Sequence, residues 1–282
     1  MMARARRRRT RNSRTSSVGD AWYWFAGVIL LVVTCVVVAG YAYLRWGIAA
    51  QRPVLEAESL CPEDGAYSVT VVLLDSTDAL PEITKLEVLN YLTDVAETVP
   101  PYGLLQVRIL DPAVPGGSVK FSKCNPGDGS NLSELVADPR RERIRWLNKY
   151  SEPVQRALQG SLAPSGADVS PLMETIQRIS VEQFGGRKRR EIPKSLIVVS
   201  DMIENAPGYS QYQGDLSYDR FRKTASYKKL RTDLNGARVF IRYVQRFSPA
   251  QNNSGEHIDF WLEWIRDNNG TPVEAKKLQG AG

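Results

Sequence analysis

The stretch YSVTVVLLDSTD, residues 67–78, decides the fold. From Val69 to Leu74 every residue is apolar or β-branched, without alternation, the pattern of a strand covered on both faces. Such a sheet needs helices on both sides, so strands and helices should alternate along the chain. The strand stops at an acid, Asp75, which opens the polar turn Asp75-Ser76-Thr77-Asp78.

The segments on either side keep that alternation. Pro81 suits the first turn of a helix, and Ile83, Leu86, Leu89, Leu92 and Val95 follow at helical spacing until Pro100-Pro101 ends it. Leu104–Leu110 reads as a second strand, and Gly116-Gly117 turns the chain into Ser118–Lys123, an antiparallel edge strand. Residues 125–139 are turn-rich. A helix over Arg140–Leu158, with Ile144, Leu147, Val154 and Leu158 as its apolar positions, is divided at Pro153. Ser170-Pro171-Leu172 leads into the helix METIQRISVEQF, and Ser195–Asp201 is another apolar strand ending in an acid. A polar loop, 202–217, precedes a helix from Tyr218 to Leu234, stopped by Asn235-Gly236. Ala237–Gln245 is a strand. A final amphipathic helix from Ser254 or Gly255 runs to Asn269-Gly270, with Phe260, Trp261, Leu262, Trp264 and Ile265 facing the sheet. The expected fold is α/β: a Rossmann-like, mostly parallel sheet with helices on both faces, in one domain of about 220 residues.

Ahead of this domain, residues 21–44 carry no charged side chain, and about 20 apolar residues span a hydrocarbon core. Trp22, Trp24 and Phe25 mark one end and Tyr41, Tyr43 and Trp46 the other, as at two membrane interfaces. A cleaved signal peptide is the competing reading, but the run is too long for its apolar core and Gly47-Ile48-Ala49 is a poor cleavage site. The chain is +6; its first twenty residues hold seven arginines and Asp20, also +6, so residues 21–282 are net neutral. Positive flanks stay cytoplasmic, which places the domain outside the cytoplasm and the anchor as a single pass of an inner membrane, facing a periplasm. Arg6, Arg7, Arg8 and Arg9 are expected to touch anionic lipid. No aromatic residue is interleaved among the tail arginines to stack on bases, so nucleic acid is not an expected partner. The expected organisation is a cytoplasmic tail (1–20), a transmembrane helix (21–45), a stalk (46–65), the α/β domain (66–268) and a frayed C-terminal tail (269–282).

Of three cysteines, Cys35 lies in the apolar run, leaving Cys61 and Cys124 in the outer part. In an oxidising compartment they either form a disulfide, worth about 3–4 kcal/mol by loop entropy, or remain two thiols. With one histidine, His257, and no CxxC, a His/Cys zinc site is excluded. His257, among polar residues at a helix start, reads as a surface or capping residue. There is no P-loop, no G-x-S-x-G and no His-based triad, and Thr77 occupies the place where an Asp-x-Asp phosphotransferase would carry its second acid. No catalytic residue is assigned and no small-molecule substrate is evident.

In an open α/β sheet ligands sit beyond the carboxyl ends of the strands, where strand order reverses. Asp75 and Asp201 end two such strands, and Ser170 opens a helix between them in sequence. This order over residues 66–268 resembles the von Willebrand factor A (VWA) domain with its metal-ion-dependent adhesion site: Asp75-Ser76-Thr77-Asp78-Ala79 stands for the family's Asp-x-Ser-x-Ser, Ser170 for its threonine and Asp201 for its later aspartate. The resemblance implies a Mg²⁺ site of Asp75, Thr77, Ser170 and Asp201, through which a partner's acid is bound. The site is degenerate: Ala79 supplies no hydroxyl, and Asp78, Asp168 or water would have to make up the loss. On a metal-free scaffold the same acids cap turns. The resemblance also puts Cys61 and Cys124 together at the sheet's amino edge, opposite the metal.

Three function classes follow: a protein-binding or scaffolding module, metal-dependent or not; a metal-free structural component of an envelope complex; and a phosphatase-like enzyme. Residues 187–190, RKRR, read as a solvated turn, while the Tyr- and cation-rich segment Tyr209–Lys229 reads either as a partner-binding insertion or as an exposed amphipathic helix. Asn131-Leu132-Ser133, Asn252-Asn253-Ser254 and Asn269-Gly270-Thr271 match glycosylation sequons, which presuppose a eukaryotic secretory route.

Overall fold

The computed structural model describes residues 18–50, 53–77, 79–130, 138–164, 166–186, 189, 191–213, 216–245 and 254–278. Arg6, Arg7, Arg8 and Arg9, Asp78, the 131–133 sequon and most of residues 187–190 lie outside them. The chain forms two compact units, 1–52 and 53–282.

The described part of the first unit is one helix, α1 (Val18–Ala50). Its segment Trp22–Tyr43 is long and apolar enough to cross a membrane, and none of it is buried by protein. Side chains such as Trp22, Leu30 and Val36 are free to face lipid.

The second unit is built on β1 (Val69–Leu74), β2 (Leu104–Ile109), β3 (Ser118–Cys124), β4 (Lys194–Ser200), β7 (Arg238–Val244) and β8 (Thr271–Leu278), in the order β3-β2-β1-β4-β7-β8. All neighbours are parallel except β2 with β3. A separate hairpin pairs β5 (Asn205–Ala206) with β6 (Tyr209–Ser210). Val69, Val71 and Leu73 point into a core shared with α5 (Leu172–Ile179) and α8 (Ser254–Asp267). Val72 and Leu74 point the other way, onto α2 (Glu82–Thr98) and α4 (Glu152–Ser161). The unbroken apolar run of β1 is therefore split between two cores, each fully buried side chain contributing about 1.5–3 kcal/mol.

Several elements differ from the expectation. In α2 the buried side chains are Thr84, Val88, Leu92 and Ala96, while Ile83 and Leu86 are each 59% exposed. Small residues at both ends of that stripe let the helix sit close on the sheet, which outweighs the larger apolar side chains one position away. The helix over 140–158 is divided, but by a π-helical turn, Leu147–Ser151, between α3 (Pro139–Trp146) and α4. A π turn inserts an extra residue per turn, so apolar spacing cannot be carried through it. Ile144 is exposed, and Trp146 and Tyr150 are buried in its stead. The helix expected from Tyr218 to Leu234 is two short ones, α6 (Tyr218–Phe221) and α7 (Ala225–Lys229), the second capped by Thr224 accepting from Tyr227 N–H at 3.2 Å.

Both boundaries of the domain move outward. Leu60 is buried in the α2-side core and Cys61 is bonded to Cys124, so residues from Pro53 on are domain, not stalk. Cys124 pairs in register with Leu104, the first residue of β2, which places the disulfide at the amino edge of the parallel strands. At the other end, residues 271–278 are not a frayed tail but edge strand β8. Pro272, Glu274, Lys276 and Lys277 gave that segment the composition of a tail, and charge and proline are what protect an exposed edge. The turn into β8 needs Gly270, where a Cβ would lie 2.6 Å from Leu234 Cδ1 and 2.8 Å from Ile265 Cγ2.

Candidate functional site

β1 and β4 are adjacent parallel strands at the centre of the sheet, and strand order reverses between them. Their register sets Asp75 beside Ser200: Asp75 N–H donates to Val199 O at 2.9 Å. The Asp75 carboxylate collects four donors. Its Oδ1 accepts Thr77 N–H (3.1 Å) and Thr77 Oγ1–H (2.7 Å), and its Oδ2 accepts the hydroxyls of Ser200 (2.7 Å) and Ser170 (3.2 Å). Ser170 arrives from a distant loop because it pairs antiparallel with Asn205, N–H to O at 2.8 and 3.0 Å in the two directions. Asp201 follows Ser200 directly; its Oδ1 accepts Ile203 N–H at 3.0 Å. Asp75, Thr77, Ser170 and Asp201 are all buried, none more than 9% exposed. The structure thus brings the strand-end acids and the Ser170 loop to one rim.

Beneath that rim lies a buried polar network that the sequence reading missed. Glu204 is completely buried, and its Oε2 accepts Met173 N–H at 2.8 Å, at the start of α5. Burial pushes this carboxyl up to about 8, against the opposing pull of the Met173 and Leu172 amides, with Glu174 and Asp75 adding a smaller upward push. Glu204 and Gln211 grip each other: Glu204 N–H donates to Gln211 Oε1 (2.8 Å) and Gln211 N–H to Glu204 O (2.9 Å). Gln211 Oε1 lies 3.2 Å from His257 Nε2, and His257 Nδ1 lies 2.8 Å from Tyr243 Oη. His257 is therefore no surface or capping residue. It is fully buried, and burial lowers its pKa to about 4. A signal for this was present: His257, Phe260, Trp261, Trp264 and Ile265 form an i, i+3, i+4, i+7, i+8 stripe, so the histidine shares the core face.

These two groups predict a pH profile of stability. Glu204 holds its proton more tightly folded than unfolded, so its contribution is full below about 4.5 and declines as pH rises towards 8. His257 has the opposite sign: its contribution is full above 6.5 and declines as pH falls towards 4. Their slopes cancel between 4.5 and 6.5, leaving a net loss from 6.5 to 8. Glu204→Gln should flatten that loss, gaining relative to the parent at pH 8 and little at pH 5, in urea titrations across the range.

The rim offers only oxygen donors, the set a Mg²⁺ ion prefers. A hydroxyl that gives its hydrogen to Asp75 keeps its lone pairs for a cation, as at Thr77 and Ser170, whereas Ser200 also accepts the Met202 N–H. Ala79 gives no oxygen, and among the described residues no three His, Cys, Asp or Glu side chains gather as a metal cluster. The donor chemistry fits a weakly held Mg²⁺ with several waters retained.

No family model and no curated protein sequence matches the chain. Similar solved structures include an aerotolerance-related membrane protein from Bacteroides fragilis NCTC 9343 carrying multiple mutations to serines (9% identity, 74% of this chain and 92% of that one, TM-score 0.36). Others are the SpRpn10 VWA domain (11%, 76% and 90%, TM-score 0.38) and the conserved hypothetical protein BatB from Bacteroides thetaiotaomicron (11%, 74% and 91%, TM-score 0.36). At these identities and scores the likeness brings nothing about ligand or partner. Its strand order, and the acid that follows each of its two central strands, make this an open, mostly parallel α/β fold, the architecture that the VWA resemblance implied.

Proposed function

We propose that this chain is a membrane-anchored binding module whose rim of Asp75, Thr77, Ser170 and Asp201 engages a protein partner outside the cytoplasm. α1 is the anchor, with the arginine-rich end cytoplasmic and the domain periplasmic. The observation that carries the reading is the convergence of Thr77, Ser170 and Ser200 hydroxyls on the Asp75 carboxylate, at the point where strand order reverses. Such a site works by ligation across an interface and needs no general base. Mg²⁺ bound by these oxygens would accept a carboxylate from the partner.

A metal-free scaffold is the second reading, favoured by the saturation of Asp75 with internal donors and by the alanine at position 79. Magnesium titration of the full-length protein, read by calorimetry, separates the two. Saturable binding that disappears in Asp201→Asn supports the metal-dependent rim. Absence of binding, together with partner co-purification from membranes that survives EDTA, leaves the scaffold.

A further inference from the structure

The segment after the hairpin carries a second surface. Arg220, Arg222, Lys223, Lys228, Lys229 and Arg231 are all exposed, six cations within twelve residues. The acids set among or against them are Asp219, Asp233 and Asp267, which leaves +3 here on a unit, residues 53–282, whose sequence is −2 overall. Lys223, Lys228 and Lys229 form no ion pair among the described residues. The surface is held in place from below. Gln177 Nε2 on α5 donates to the carbonyls of Lys229 (3.2 Å) and Arg231 (2.7 Å). Asp267 on α8 accepts the phenol hydroxyls of Tyr218 (2.9 Å) and Tyr227 (2.5 Å).

Beside the cations opens a cavity of about 480 Å³, walled by Tyr209 and Phe221, with Ser210, Ser217, Thr224 and Arg220 among its lining. The two rings meet at 4.6 Å between centroids, and Ser226 Oγ donates to Gly208 O at 2.9 Å, tying α7 to the hairpin. Through Asn205 the same hairpin is paired with Ser170, so the cavity adjoins the rim.

We propose that this surface docks an acidic segment of a partner protein, its carboxylates on the lysine row and one side chain in the cavity. Charge complementarity selects an anionic partner. A bilayer would be gripped by several exposed apolar side chains beside the cations, whereas among the described residues Tyr212, on the hairpin side, is the one large exposed hydrophobic between 205 and 245. Single-stranded nucleic acid would stack on a row of open rings, whereas Tyr218 and Phe221 are buried, Tyr227 is tied to Asp267 and Tyr212 offers a single exposed ring. The surface deepens the binding-module reading and does not depend on a metal at the rim.

The test uses the full-length chain in nanodiscs of zwitterionic lipid, with fluorescein-labelled poly-glutamate as probe. Binding should be saturable and weaken with salt. It should fall about tenfold or more in Lys223→Glu/Lys228→Glu/Lys229→Glu. A control reversing the exposed Lys120 and Lys149 should change it little, and EDTA should leave it unaltered. Unchanged affinity in the triple variant, or an equal loss in the control, overturns the surface. Loss in EDTA assigns the peptide to a metal at the rim and also overturns it. Capture of phosphatidylglycerol vesicles or a single-stranded oligonucleotide through the same three lysines, without peptide binding, replaces the acidic protein partner by lipid or nucleic acid.

Discussion

Asp75→Ala is expected to lower stability by about 3–5 kcal/mol, because each buried donor left unpaired costs roughly 1–3 kcal/mol. Three hydroxyls and the Thr77 N–H end on this one carboxylate, and Thr77, Ser170 and Ser200 are all buried. Rotation of the hydroxyls recovers part of the loss, so the cost stays below the full sum of four. Asp201→Ala also removes a buried carboxylate, one that accepts the Ile203 N–H, and serves as the comparison. Urea denaturation of the two variants checks the order: a shift for Asp75→Ala no larger than that for Asp201→Ala would show that the hydroxyl hub is not a stability element. The same hub makes alanine at position 75 an ambiguous probe of binding, since it removes a ligand and loosens the rim together. Asp201→Asn is the cleaner test.

Trp261→Ala is expected to cost about 3–5 kcal/mol, the range for truncating a large buried aromatic. The indole is fully buried and edge-on to both Phe260 (6.0 Å) and Trp264 (5.5 Å). It also braces the rim. Trp261 Nε1–H donates to Met202 O at 2.7 Å, and Met202 has a φ of 61°, a left-handed backbone that a side chain of its kind rarely adopts. That conformation, costing about 1–3 kcal/mol, persists only because its surroundings hold it. Ser200 Oγ accepts Met202 N–H at 2.8 Å, and the Met202 side chain is itself buried. Trp261→Phe keeps most of the volume but takes the indole donor from the Met202 carbonyl, which the His257 ring also approaches, for a loss of about 1–3 kcal/mol. Thermal melts of Trp261→Ala and Trp261→Phe therefore separate packing from bracing. Equal melting temperatures for Trp261→Phe and the parent would remove the brace.

Much of the architecture was legible because it follows from short-range pattern. An apolar run without alternation, as in Val69–Leu74 or Leu196–Val199, can only be a strand covered twice, and the helices between such runs then have to cover it. The strand-end acids and the serine of the Ser170 loop were legible too, as sequence positions. What failed were readings in which tertiary contact outweighs local composition. β8 resembles a tail because an edge strand carries charge on purpose, and Leu60 resembles a linker residue until the disulfide draws it under the sheet. His257 resembles a surface residue because the polar Glu256 and Asp259 stand close to it in sequence, although Trp261 and Trp264 lie on one helical face with it.

The amino-acid order alone determined the layered α/β plan, the long apolar helix ahead of it and the identity of the residues at the two central strand ends. Only the tertiary structure decided that Ser200 joins Thr77 and Ser170 on Asp75, that Glu204 is fully buried beneath them, and that all six cations of residues 220–231 are exposed. Periodicity is a property of neighbours a few residues apart. Hydrogen bonds across 95 or 125 positions, such as those from Ser170 and Ser200 to Asp75, depend on strand register and loop path, which no local pattern encodes.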